Sequence, residues 1–212
     1  MTTEQISVWT GAFGREYTER NRFDDDALNR LYQMRYGRTR DDINQDWLGH
    51  LPRDIRILEV GANIGNQLRA LQRLGFKQLY GIEIQRYCVD EAKKLHPGID
   101  IVEASGFDIP FKDRWFDLVF TNNVLIHIAP DDLPRLLSEI HRVSRDYVMG
   151  MEYYAAEVTE ISYHGHTNLL WKADYAALYR KIVPALVTVR EELFPMQDEP
   201  GKMDKMFLLR RK

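Results

Sequence analysis

Apolar positions along the chain alternate between two periods. Ile55, Ile57, Leu58 and Val60 form a short run bounded by turn residues, which predicts a central parallel strand covered on both faces. Leu68, Leu71, Leu74 and Phe76 follow at near-helical spacing up to a stop signal at Gly75. A second strand over residues 78–84 delivers Glu83 near its end. The pattern then predicts a helix over 85–95 that stops at His96-Pro97-Gly98, and a third strand over 99–102. A fourth strand spans 115–120 and runs into Thr121-Asn122-Asn123. Pro130-Asp131-Asp132 opens a helix through Val143, with acidic residues at its N-terminus as the helix dipole prefers, and residues 146–151 form a fifth strand. Two apolar-rich strands, 186–194 and 203–210, close the chain, separated by Pro195, Pro200 and Gly201.

Residues 1–50 precede the first strand and read as helical. Trp9, Phe13 and Tyr17 fall four apart on one face, and a second helix is expected over 25–34. Gly11 and Gly14 interrupt the first of these patterns, which local helix stability would not favour. No internal repeat or low-complexity stretch is present.

Candidate chemistry begins at the turn Glu59-Val60-Gly61-Ala62-Asn63-Ile64-Gly65. Glycines there remove the β-carbons that would keep a ligand from the backbone. A carboxylate roughly 20 residues beyond such a turn, here Glu83, is placed to accept hydrogen bonds from a ribose diol. The turn lacks the third glycine of the dinucleotide fingerprint, which argues against a nicotinamide-dependent oxidoreductase.

Acidic-x-Gly-x-x-x-Gly closing the first strand, with an acidic residue ending the second, resembles the cofactor site of class I S-adenosylmethionine-dependent methyltransferases. The run Phe116-Asp117-Leu118-Val119-Phe120 before Val124-Leu125-Ile126-His127 is similar to the family's fourth-strand motif. The resemblance implies a Rossmann-like α/β fold with a seven-stranded, mostly parallel sheet, antiparallel strands at its end, and an N-terminal helical lid. On that reading residues 1–50 are the lid and 51–212 the methyltransferase domain, with S-adenosylmethionine as cofactor and S-adenosylhomocysteine as product. The resemblance puts Glu59 near the methionine amino group, lets Gly61 and Gly65 bring the loop to the cofactor beside Ala62 and Asn63, and gives Glu83 the ribose, with Ile84 next to it. Ser105, Gly106 and Phe107 match the loop that flanks the adenine, with Ser105 where the family usually carries an acidic residue, and Asn122 faces the cofactor. Phe13, Tyr17, Arg20 and Asn21 are lid candidates, their aromatic faces suited to a sulfonium cation.

Acceptor chemistry is expected after the fourth and fifth strands, where open α/β sheets bind ligands. His127, Glu152, His164 and His166 are candidate bases, and Tyr153, Tyr154, Trp171 and Lys172 candidate positioning residues. His127 is equally readable as a satisfied structural histidine. The close spacing of His164 and His166, without cysteine partners, argues against zinc, so no metal is expected. Phe13-Gly14-x-x-Tyr17-x-x-Arg20-Asn21, Glu152-Tyr153-Tyr154, Tyr163-x-Gly165-His166 and Leu170-Trp171-Lys172-x-Asp174-Tyr175 resemble a narrower group, the methylases associated with pseudaminic-acid and surface-sugar biosynthesis. That resemblance implies a small polar acceptor, a sugar or nucleotide-activated sugar methylated on oxygen or nitrogen.

At 212 residues the chain accommodates one α/β domain with a modest extension. No run approaches the roughly 18 apolar residues of a membrane helix, and the N-terminus lacks the layout of a secretory signal, so a cytoplasmic protein is expected. A net charge of −3 gives no global attraction to nucleic acid, and the basic clusters 35–40 and 210–212 read as a solvated face and a fraying terminus. Thr121-Asn122-Asn123-Val124 lacks the aromatic residue that a flipped base would stack on, against a nucleic-acid methyltransferase. The cluster after Glu152 argues against a non-catalytic S-adenosylmethionine-binding module. Cys88 has no cysteine to pair with and reads as a small core residue.

Overall fold

The computed structural model describes residues 3–212. Four helices lead the chain: Glu4–Thr10 (α1), Ala12–Arg20 (α2), Asp25–Tyr36 (α3) and Arg40–Leu48 (α4). Strand Arg56–Val60 (β1), helix Asn66–Arg73 (α5), strand Gln78–Glu83 (β2), helix Arg86–Leu95 (α6) and strand Asp100–Glu103 (β3) follow. Strand Phe116–Asn122 (β4) ends in a short 3-10 turn, Leu125–His127, before helix Leu133–Val143 (α7) and strand Ser144–Tyr153 (β5). Two short strands, Thr159–Glu160 (β6) and Trp171–Lys172 (β7), form a separate antiparallel pair. Helix Tyr175–Ile182 (α8) and the long strands Leu186–Pro195 (β8) and Met203–Arg211 (β9) complete the order.

The main sheet has seven strands in the order β3-β2-β1-β4-β5-β9-β8. Pairs from β3 through β5 are parallel, and β9 pairs antiparallel with both β5 and β8, as the sequence predicts. Strands are added outward from β1 in one direction as β2 and β3 and in the other as β4 and β5, so a crevice opens at the carboxyl ends of β1 and β4, where doubly wound sheets bind ligands.

Two apolar layers sandwich the sheet. Leu133, Leu136, Leu137, Ile140 and Val143 of α7 pack with α8 on one face, against Leu58, Val119 and Val148. Ile43, Trp47, Leu68, Leu71 and Val89 of α4, α5 and α6 pack on the other, against Ile57, Leu118 and Met149. Each fully buried aliphatic side chain contributes about 1.5–3 kcal/mol, so these layers fix where the strand ends sit.

The N-terminal segment departs from one continuous helix. Gly11 is at once the C-cap of α1 and the N-cap of α2. Gly14 lies where α2 meets the start of α6, and a β-carbon there would stand 2.8 Å from the Gln85 side-chain nitrogen. Despite the break, Trp9 keeps edge contacts with Phe13 and Tyr17, at 5.4 and 5.2 Å between ring centres.

The basic clusters correct the sequence reading. Arg40 is 1% exposed and Arg35 is engaged by Asp198 and Glu199, so residues 35–40 are no solvated face. Residues up to Arg211 belong to β9, and the Arg211 guanidinium donates to the carbonyls of His141 and Ser144 at 3.1 and 2.8 Å, which ties down the expected fray. Cys88 is fully buried, with its sulfur 3.1 Å from the Thr18 hydroxyl. No described helix is long and apolar enough to cross a membrane.

Candidate functional site

A cavity of about 480 Å³ opens over the carboxyl ends of β1, β2 and β4, roofed by α1–α3 and the β6–β7 hairpin. Its volume falls within the roughly 300–1,000 Å³ of small-molecule sites.

One half is built from the turns after β1 and β2. Gly61 has φ of +73°, and a β-carbon there would lie 2.7 Å from a Val124 methyl, so the turn is closed to any larger residue. Asn63 takes φ of +49°, and its backbone N–H donates to Glu83 at 2.9 Å. The Gln85 N–H donates to the other Glu83 oxygen, also at 2.9 Å, so both turns orient this carboxylate. Burial raises the Glu83 carboxyl, opposed by these backbone donors.

Glu59, at 2% exposure, carries a buried oxygen with no hydrogen-bond partner. Burial pushes its carboxyl well above the usual carboxylate range, the Arg40 cation opposes the shift and the Glu83 charge adds to it. A carboxyl group so placed keeps an unpartnered acceptor in the cavity wall, and a cationic ligand beside it would favour its ionised form. Ala62, Ile84, Ser105, Gly106 and Phe107 also line this half. The Ser105 hydroxyl accepts from the Phe107 N–H at 3.2 Å. Asn122, at the end of β4, accepts the Tyr32 hydroxyl at 3.3 Å.

Aromatic side chains dominate the other half: Trp9, Tyr17, Tyr32, Tyr36, Tyr153, Tyr163 and the imidazoles of His127 and His164 line it. His127 is 9% exposed, and its Nδ1 donates to the Leu169 carbonyl at 2.9 Å, which leaves Nε2 as the lone-pair nitrogen. Burial pushes its pKa down to about 4, so the ring is neutral at physiological pH. Trp9 and Tyr163 pack on it at 4.5 and 5.5 Å between ring centres. A neutral imidazole with one nitrogen fixed and the other bare can accept a proton.

Several predicted residues lie elsewhere. Glu152 does not line the cavity, because period-two alternation turns it to the α7–α8 face of β5, where it is 1% exposed. There it accepts the Leu125 N–H at 3.1 Å and holds the turn that carries His127. Burial pushes its carboxyl up to about 8. Gly65 serves packing: its φ is +86°, it caps α5, and a β-carbon there would meet Ile101 at 2.9 Å. Phe13 stands outside the wall, edge-on to Tyr163, His164 and His166. His166 is exposed, on the far side of the tight His164-Gly165 turn. Trp171 is buried in the domain, Lys172 sits over the Tyr153 ring at 5.8 Å, and Tyr154 packs under Lys205 at 4.6 Å. Tyr17, Arg20 and Asn21 of the N-terminal segment do reach the cavity.

The sequence reading missed Tyr32, Tyr36, Asn66 and Gln67, which line the wall supplied by α3 and α5. Tyr32 and Tyr36 are four apart in α3, a spacing that carries the signal but also describes an ordinary core face.

Residues 58–147 match the family model described as "Methyltransferase domain". The fold is that of the class I methyltransferases. The structure of magnesium protoporphyrin IX methyltransferase from Synechocystis PCC 6803 with bound S-adenosylmethionine has a TM-score of 0.71 at 16% identity, covering 100% of this chain and 99% of that one. Burkholderia thailandensis 1,6-didemethyltoxoflavin-N1-methyltransferase, solved with 1,6-didemethyltoxoflavin and S-adenosylhomocysteine, has a TM-score of 0.73 at 17% identity, covering 100% and 92%. A 2-phytyl-1,4-naphtoquinone methyltransferase of Nostoc sp. (strain PCC 7120 / SAG 25.82 / UTEX 2576) is 31% identical over 126 residues, 56% of this chain and 54% of the relative. The methyltransferase-like chain thus spans about half the length of that curated relative. The shared fold places the glycine turn and the Glu83 strand end of this methyltransferase fold together, as the sequence spacing requires.

Proposed function

We propose that the protein is an S-adenosylmethionine-dependent methyltransferase of a small polar acceptor. The observation that carries this reading is the pairing of Glu59, a buried carboxylate with an unpartnered oxygen, with Glu83, oriented by two backbone donors across a turn that admits only glycine at position 61. This set fits the cofactor: Glu59 takes the methionine ammonium, Glu83 the ribose hydroxyls, and the Ser105–Phe107 loop with Ile84 the adenine. Asn122 and the Tyr17 ring face the sulfonium end, and Arg20 takes the methionine carboxylate. When bound, the cofactor supplies a methyl group already activated on a cationic sulfur.

The chain's own work is then to hold the acceptor in line, exclude water and receive a proton. Within residues 1–50, α1–α3 act as the lid over the domain formed by 51–212, while α4 packs on the sheet with the core; residues 1 and 2 lie outside the described residues. Trp9 of the lid covers His127, which receives the acceptor proton at Nε2. Tyr153, Tyr163 and His164 position the acceptor.

A sugar acceptor, as in the surface-sugar methylases that the motifs resemble, agrees with phenol hydroxyls and ring faces as the wall. Arg35 in that wall is compensated by Asp198 at 3.2 Å and Glu199 at 3.6 Å, which favours a neutral sugar over a nucleotide-activated one carrying a diphosphate. Titration calorimetry with S-adenosylmethionine, S-adenosylhomocysteine and NADH tests the cofactor: binding of the first two is expected, and binding of NADH alone overturns the reading. Sugars and nucleotide sugars are then screened for the mass of one added methyl group.

A further inference from the structure

Arg40 is the least explained charge in the molecule. It is 1% exposed, its Nε has no hydrogen-bond partner, and no carboxylate among the described residues lies within ion-pair distance. Asn44, one turn further along α4, is fully buried with both amide atoms unpartnered. A buried cation without a counter-ion is costly, so its retention calls for an account outside stability.

Its contacts lead to the cavity. The guanidinium lies over the Tyr32 ring at 5.1 Å, and one nitrogen donates to the Tyr32 hydroxyl and to the Met151 sulfur, each at 3.5 Å. Gln67 also donates to the Tyr32 hydroxyl, at 3.2 Å. With its lone pairs engaged from two sides, the hydroxyl spends its proton on the Asn122 carbonyl oxygen at 3.3 Å. The Asn122 amide is thereby fixed with its oxygen toward Tyr32, and its N–H donors are left for a ligand.

We propose that Arg40, which does not itself line the cavity, is a positioning residue of the cofactor site: through its contact with Tyr32 it sets the direction in which the Asn122 amide faces the cavity.

The inference rests on the cofactor reading of the cavity, and the test separates the two. Arg40→Met conserves volume and removes a buried unpaired charge, so its melting temperature should equal or exceed that of the wild type. Its Kd for S-adenosylmethionine should nevertheless rise by up to about tenfold, the order of one hydrogen bond. Tyr32→Phe, with Arg40 intact, should weaken binding by a similar factor, which keeps the orienting role testable should Arg40→Met not fold, and the double variant should lose no more than either single one, because both act through the same hydroxyl. Wild-type affinity in Arg40→Met, or losses that add fully in the double variant, overturns the inference. Failure of the wild-type protein to bind S-adenosylmethionine overturns the cofactor reading instead.

Discussion

Replacing Glu83 with alanine should sever the ribose while leaving the sheet intact. Glu83 ends β2, and both its oxygens face backbone donors, Asn63 N–H and Gln85 N–H, each at 2.9 Å. A ribose diol adds two hydroxyl donors to the same carboxylate, and hydrogen bonds to charged groups are worth about 1.5–3 kcal/mol each. Because the two share one acceptor group they do not add fully, so a loss of about 3 kcal/mol is expected, or roughly a hundredfold in Kd. Calorimetric titration with S-adenosylhomocysteine measures it directly. The alanine variant also frees two backbone donors, so thermal unfolding is followed in parallel, and Glu83→Gln, which retains an acceptor oxygen, should lose less. A 2′-deoxy analogue isolates the hydroxyl contribution, since its penalty against wild type should vanish in the alanine variant. A folded Glu83→Ala protein that binds within about threefold of wild type, under ~1 kcal/mol, refutes the ribose assignment.

Three further outcomes follow from the same geometry. His127→Gln should bind S-adenosylhomocysteine normally while single-turnover methyl transfer falls by about 10²–10⁴, the usual worth of a positioned base; an unchanged rate removes His127 from the chemistry. Gly61→Ala must hold a φ of +73° and press on Val124, so urea unfolding should show a loss of at least roughly 1–2 kcal/mol, and equal stability argues against the observed turn. Glu152 keeps its proton in the folded state up to about pH 8 but releases it near 4.5 when unfolded, so its stabilising contribution is complete below 4.5 and disappears as pH rises to about 8. Glu152→Gln should flatten that decline in denaturation curves taken across the window, and parallel curves for the two proteins would falsify the buried-carboxyl account.

The parallel half of the fold was legible because each element carried its own signal. A continuous apolar run, a glycine turn and a 3.6-residue stripe fixed β1, α5 and β2, and the strand end then had to bring Glu83 to the turn. The final two strands were legible from their length and the proline and glycine between them. Burial of polar residues was not. Glu152 follows Met151 in β5, and only the alternation of Met149 and Met151 against Gly150 and Glu152 shows that its side chain turns away from Tyr153. Arg40 sits in a basic run whose composition predicts solvent, and its burial follows from how α4 packs on β1 and β5, a tertiary fact with no local signature. The α3 wall was hidden for a related reason: aromatic residues at helical spacing describe a core stripe and a ligand wall equally well.

The hydrogen bond from His127 to the Leu169 carbonyl spans 42 positions of sequence. That carbonyl belongs to the segment leading from the β6–β7 hairpin turn into β7, whose Tyr163 and His164 also form part of the cavity wall. Tautomer choice and the shape of that wall are therefore inherited from a single short excursion of chain. On the proposed function, lengthening or re-registering that hairpin would retune proton affinity and selectivity together while the glycine turn, Glu59 and Glu83 stayed untouched, which makes it the natural segment to exchange when a new acceptor is wanted.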